Sequence, residues 1–194
     1  MRFATLLNVD QFEWPFGRIQ NPEPMTDHRI GPETNRLLHR QFCDEDAEVY
    51  FALRSHPDVI RYTGDTPLES IDEARTAIAE YPDFDTVGYG RWACVLKETQ
   101  QVIGFSGLKY LPEMNETDVG YRFLPEFWGQ GLATESALAS VAYGFQTLGL
   151  ERIIGLVLAE NAASIHVLEK AGLRPDGVVD CEGLEALRYL ITIP

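Results

Sequence analysis

The sequence predicts an α+β fold, with a mixed, mostly antiparallel central sheet of about six or seven strands flanked by helices. Three observations carry that prediction. β-rich segments follow one another as a meander between Arg91 and Leu124. Apolar residues at Leu138, Val141, Phe145 and Leu148 then mark an amphipathic helix. One more strand, a shorter helix and a β-rich tail complete the chain.

Residues 1–32 lack sustained periodicity, carry Pro15, Pro22, Pro24 and Pro32, and hold the aromatic cluster Phe12, Trp14 and Phe16. They read as an irregular N-terminal extension. Its aromatics are expected to cover an apolar patch on the domain or on a partner in a homodimer. The domain itself takes residues 33–194. It opens with RLLHRQF as a strand, and Asp44 is the expected N-cap of a helix through Ala47, Val49 and Phe51 to Arg54, ended by Pro57. Ser70 and Glu73 have capping-box spacing, and Ala74, Ile78 and Tyr81 continue a helical stripe to Pro82.

Arg91 to Lys97 and Gln101 to Tyr110 form a hairpin about the turn Glu98-Thr99-Gln100, and Pro112 to Asn115 turn the chain into a third strand, Thr117 to Leu124. Gly149 is placed to cap the amphipathic helix, and RIIGLVL is the next strand. A helix from about Ala162 to Ala171 is closed by Gly172, and Val178 to Ile193 supply one or two more strands.

With 194 residues, 45% of them hydrophobic and 24% charged, the chain can bury one core. No apolar run approaches the ~20 residues that span a bilayer, and Asp10 cuts the apolar start short of a secretory segment, so a cytoplasmic location is expected. Cys43, Cys94 and Cys181 are far apart, without CxxC pairing or metal-ligand spacing; reduced thiols and no metal are expected. The formal charge of −14 opposes a surface for nucleic acid. It favours a cationic partner, although surplus acid is also a route to solubility.

The segment most informative about chemistry runs from Tyr121 to Glu135, YRFLPEFWGQGLATE: a strand, a short glycine loop and a long helix. Unpaired amides at a helix start, with the helix dipole behind them, attract an anion. Gly129 and Gly131 let a phosphate approach the main chain. A Walker A loop is excluded because the loop has no Lys. A dinucleotide fingerprint fares better, with G129-x-G131 between strand and helix and Glu160 ending the next strand. Thr134 in place of the third glycine, and the absence of a second alternating βα run, weigh against it.

LPEFWGQGLATESAL resembles the coenzyme-A-binding motif of the GNAT acetyltransferases, in particular their RimJ/RimL-like branch, which includes ribosomal-protein N-terminal acetyltransferases. ETNRLLHRQF is similar to that branch's opening strand, DVGYRF to its central strand, and NAASIHVLEKAGL to its last motif helix. The resemblance covers roughly residues 33 to 193, with four motifs in order.

It implies an acetyl-CoA-dependent N-acetyltransferase. Main-chain groups of Tyr121 and Phe123, on a splayed strand, would bond the pantetheine arm. Amides of Gln130, Gly131, Leu132, Ala133 and Thr134 would cradle the pyrophosphate. Trp128 stands where the wider superfamily has Gln or Arg, so main-chain donors carry the binding. Asn161 is expected to reach the coenzyme or to cap the next helix, and Ser164 to lie near the sulfur or to be an ordinary first-turn serine.

Acetyl transfer needs a neutral amine, a donor for the oxyanion and a proton for the leaving thiolate. The Tyr121 N–H is the candidate oxyanion donor. Asp118, where the branch usually has Glu, is the candidate base or a solvated charge at a strand start. Leu168 replaces the Tyr that many members use as thiolate acid, so Ser164 or water must serve. His166 reads as an exposed helix residue and Glu135 as a structural hydrogen-bonding group. The acceptor is expected to be a protein N-terminus or a small amine. A coenzyme-A-binding module without catalysis is the alternative.

Overall fold

The computed structural model describes residues 29–181 and 183–193. The aromatic cluster of the N-terminal extension therefore lies outside the described residues. Residues 29–31, expected to be irregular, run antiparallel beside the first strand, with Ile30 bridged to Arg40 and the Gly31 amide donating to the His39 carbonyl at 2.9 Å.

Seven strands form one sheet: β1 (Leu37–Arg40), β2 (Arg91–Leu96), β3 (Gln101–Leu111), β4 (Glu116–Phe123), β5 (Arg152–Val157), β6 (Arg174–Cys181) and β7 (Leu184–Thr192). Their order is β1-β2-β3-β4-β5-β7-β6. Every neighbouring pair is antiparallel except β4 and β5, which are parallel and share the single register pair Asp118 and Ile154. Past that pair the two strands part. This is not the doubly wound parallel sheet that a dinucleotide site requires.

The α-helices among the described residues are α1 (Ala47–Ser55), α2 (Pro57–Ile60), α3 (Ile71–Ala79), α4 (Asp83–Thr86), α5 (Leu132–Gln146) and α6 (Ala162–Lys170). Leu53 of α1 and Val59 of α2 pack on Phe105 of β3, which places these helices on one face. On the other, Ala137 and Val141 of α5 and Leu168 of α6 close over Leu108, Val119 and Ile153. Trp92, with no exposure, meets Tyr143 edge-on at 5.3 Å between ring centroids.

Ser70 caps α3 by accepting the Glu73 amide at 3.2 Å, while the Glu73 carboxylate reaches back one residue further, to the Glu69 amide at 2.9 Å. Asp44 is not the cap of α1. A 3-10 turn over Asp44–Asp46 precedes that helix, whose N-cap is Asp46 without a side-chain cap bond; the Asp46 carboxylate turns back instead to accept the Cys43 amide at 2.9 Å and to pair with Arg40 at 2.6 Å. The tail supplies two strands, and β6 starts four residues before Val178. Pro175 and Gly177 disguise its start, and the register shifts there, as suits a proline on an edge strand. Among the described residues no helix is long and apolar enough to cross a membrane.

Candidate active site

Gly129 and Gly131 both take left-handed backbone conformations, with φ of 73° and 76°, which cost other residues strain. Gly131 is the N-cap of α5, whose first internal bond runs from the Glu135 amide to the Gly131 carbonyl at 3.0 Å. The amides of Leu132, Ala133 and Thr134 thus precede the helical ladder. The Leu132 side chain is buried beside Leu37 and Phe123, anchoring this turn in the core. Space in front of the loop is open: a Cβ built on Gly129 meets nothing within 4 Å, and one on Gly131 meets only the Arg36 guanidinium at 3.7 Å.

The loop borders a cavity of about 620 Å³, within the range of cofactor sites. Of the expected binding residues, Tyr121, Phe123, Gly131, Leu132, Ala133, Thr134, Asn161 and Ser164 all line it. Gln130 does not; its carbonyl accepts from Arg36 Nη1 at 2.9 Å and its side chain donates to the Glu126 carbonyl at 3.0 Å. Trp128, half-exposed at the rim, donates its indole N–H to the Phe123 carbonyl at 2.7 Å. Asn161 caps α6 by accepting the Ser164 amide at 3.1 Å while still facing the cavity. The Tyr121 hydroxyl lies 2.9 Å from the Ser164 carbonyl, to which it donates, and 2.8 Å from Ser164 Oγ. Burial pushes the Tyr121 phenol up, so it stays neutral.

The structure sets Asp118 apart from this group. Its side chain is buried, it does not line the cavity, and both oxygens are engaged: Oδ2 with Arg91 Nη2 at 2.8 Å and Oδ1 with the Leu156 amide at 3.1 Å. Burial pushes its carboxyl up, and Arg91 and the Leu156 amide offset only part of that rise. A carboxylate so placed bridges β4 to β5 at the last point before they splay.

The family model described as "Acetyltransferase (GNAT) domain" matches residues 36–174. The chain belongs to the GNAT family. It is 38% identical over 149 residues, 76% of its length and 84% of the relative's, to the uncharacterized N-acetyltransferase YoaA of Bacillus subtilis. A GNAT acetyltransferase from Bacillus anthracis has the same fold, with a TM-score of 0.70 at 26% identity over 84% of this chain and 98% of that one. Spermidine N-acetyltransferase of Vibrio cholerae, solved with CoA and spermine, shares the fold at a TM-score of 0.66 and 20% identity, over 81% and 95% of the two chains. The protein is thus an N-acetyltransferase of the GNAT fold.

Two features of this GNAT site were not visible in its motifs. Arg36, at the mouth of β1, spans from Glu135 to the Gln130 carbonyl and puts a guanidinium beside the glycine loop. Its neighbour two residues back, Thr34, donates to the same Glu135 carboxylate at 2.6 Å. The signal in the sequence was only the pairing of ETNR with ATE, far apart along the chain. The second feature is the Tyr121 side chain. It brings a phenol to Ser164 from β4, whereas Leu168, at the position where many GNAT enzymes have a Tyr, is core, packed so closely on Gly155 that an added Cβ there would lie 2.5 Å from it.

Proposed function

We propose that this protein, a member of the RimJ/RimL-like branch, transfers acetyl directly from acetyl-CoA to a primary amine. The observation that carries the proposal is the single cavity in which the glycine loop, the free edge of β4 and the N-terminus of α6 meet. The open space before Gly129 and Gly131 suits a pyrophosphate, held by the amides of Gly131 to Thr134 with Arg36 as an added cation, while Gln130, off the cavity, braces the loop through Arg36 and Glu126. Main-chain groups of Tyr121 and Phe123 would pair with the pantetheine amides. Asn161 would close the arm from the other side of the splay.

In the reaction the amine nitrogen attacks the thioester carbon, and the Tyr121 N–H stabilises the resulting oxyanion. As the carbon–sulfur bond breaks, the Ser164 hydroxyl, held in place by the Tyr121 phenol, protonates the thiolate and recovers a proton from cavity water that carries the proton of the ammonium. Asp118 acts as a positioning residue that fixes the splay and Arg91, and the ammonium proton leaves through water in the cavity. The acceptor is a small amine or a peptide N-terminus, met in the cytoplasm. Thermal denaturation with ligands tests the coenzyme assignment: acetyl-CoA at a hundredfold excess over its dissociation constant stabilises by about 2.7 kcal/mol, and NAD does not. Stabilisation by NAD with none by acetyl-CoA would overturn the assignment.

A further inference from the structure

We infer that Lys170 and His166, on α6, hold the 3′-phosphate of the coenzyme's ribose, so that the protein distinguishes CoA from its 3′-dephosphorylated form. This subsite rests on the coenzyme assignment above and adds a second anion-binding element to it. Ala163, His166, Val167 and Lys170 all line the large cavity. Their spacing of three, four and seven residues from the first puts them on one face of α6. Leu168, on the opposite face, is buried in the core. The cavity-facing stripe begins beside Ser164, which meets Tyr121 at the splay of β4 and β5. Lys170 stands about 10 Å further along the helix axis than Ala163, at a rise of about 1.5 Å per residue. This face of α6 therefore leads away from the reacting centre along the cavity wall.

Charge explains why cations are wanted there. CoA carries a phosphate on its ribose in addition to its pyrophosphate, and the chain's own formal charge is −14. The glycine-loop amides and Arg36 answer the pyrophosphate and leave the ribose phosphate to be met elsewhere. Among the described residues lining the cavity, Asp58 is the one acid, and it belongs to α2. Of the four basic residues on the same walls, two are already engaged. Arg122 is 2.6 Å from Asp65, and the Arg61 guanidinium lies over the Tyr62 ring, 5.2 Å from its centroid. His166 and Lys170 are exposed, and their side chains make no hydrogen bond or ion pair among the described residues. Glu169, adjacent in sequence, falls about 100° around the helix from Lys170 and does not line the cavity.

The i,i+4 spacing of His166 and Lys170 sets them side by side on the helix surface. An ammonium on a flexible stem meets a phosphate as a compact point charge, and an imidazole N–H one turn earlier adds a donor. Lys170 also sits in the last turn of α6, where a cation meets the negative end of the helix dipole. That second role would steady the helix but would be blind to the coenzyme's ribose.

Calorimetric titration of the full chain with CoA and with 3′-dephospho-CoA separates the two roles. The wild-type protein should bind CoA about 30-fold more tightly than dephospho-CoA. Lys170→Gln should cut that preference to about 3-fold, and His166→Gln to about 10-fold, with affinity for dephospho-CoA unchanged in both. Equal binding of the two ligands, or a preference that survives both substitutions, would overturn the inference and leave the glycine-loop site standing. Loss of affinity for both ligands alike in Lys170→Gln would also overturn it, by reducing Lys170 to its place at the helix end. Failure of either ligand to bind the wild-type protein would overturn the coenzyme assignment as well.

Discussion

Glu135 accepts both the backbone amide and the Nε of Arg36, at 2.9 and 2.6 Å, so one carboxylate in the first turn of α5 ties β1 to the glycine loop. Glu135→Gln keeps the shape and removes the charge. Arg36 is partly exposed, so the expected loss of stability is modest, about 1–2 kcal/mol. The dissociation constant for acetyl-CoA should rise about 10-fold, because the guanidinium beside Gly131 loses its anchor. Burial pushes the Glu135 carboxyl up, but the bonds from Thr34 and Arg36 together outweigh it and hold it below its ordinary value of 4.5. The carboxylate's contribution is therefore present above that value and is lost as pH falls through the lower, folded one. Denaturation midpoints measured from pH 6 to 3 should fall less steeply in the variant.

A second pH effect comes from His39, which is buried between the Pro32 carbonyl at 2.5 Å and Ser136 Oγ at 2.6 Å. A carbonyl only accepts, so Nδ1 carries the proton and Nε2 accepts from Ser136. Burial pushes the imidazole down from 6.5 to about 4. Between those values the unfolded chain binds a proton that the folded one refuses, so stability falls as pH falls, by about 3 kcal/mol over the window. His39→Gln can keep both hydrogen bonds and should abolish that slope. A slope unchanged in the variant would assign the titration elsewhere.

Gly131→Val tests the loop. At a φ of 76° a β-branched residue is strained by about 1–2 kcal/mol, and its methyl groups would stand where the phosphate approaches. The variant should fold and bind acetyl-CoA at least about 10-fold more weakly by calorimetry. An unchanged affinity in the folded variant would show that the pyrophosphate lies elsewhere.

Asp118→Asn separates a positioning role from a base. Positioning predicts a loss of turnover that is nearly independent of pH, with lowered stability because Arg91 loses its partner. A base would give a loss of about 10²- to 10⁴-fold near neutrality that shrinks at high pH, where the free amine deprotonates in solution. Activity measured from pH 6.5 to 10 distinguishes them, and rescue at high pH would restore Asp118 as the base.

The parts of this molecule that were legible in its sequence are those whose causes are local. YRFLPEFWGQGLATE shows strand, turn and helix within one short run, and the Asn161 cap needs only Ser164, three residues on. What stayed hidden depends on residues brought together by the sheet. Arg36 meets Gln130 across 94 positions, and Asp118 meets Arg91 across 27 and Leu156 across 38. Spacing could place Asp118 at the start of a strand but not show that both its oxygens were taken. The one-turn helices α2 and α4 are too short to show a helical period. Asp44 was displaced as the cap because a 3-10 turn over Asp44–Asp46 comes before α1, with Asp46 held by Arg40.

In the proposed reaction acetyl leaves a coenzyme held at the glycine loop and ends on a primary amine. The direct measurement incubates the protein with acetyl-CoA and a panel of amino acids, polyamines and peptides with free N-termini, following thiol release and the masses of the products. Thiol release should depend on the amine, with one acetyl group gained by the amine for each thiol, and both should be lost in Ser164→Ala with coenzyme affinity retained. Coenzyme binding without an acetylated product from any amine would contradict the proposed reaction and leave a coenzyme-binding module.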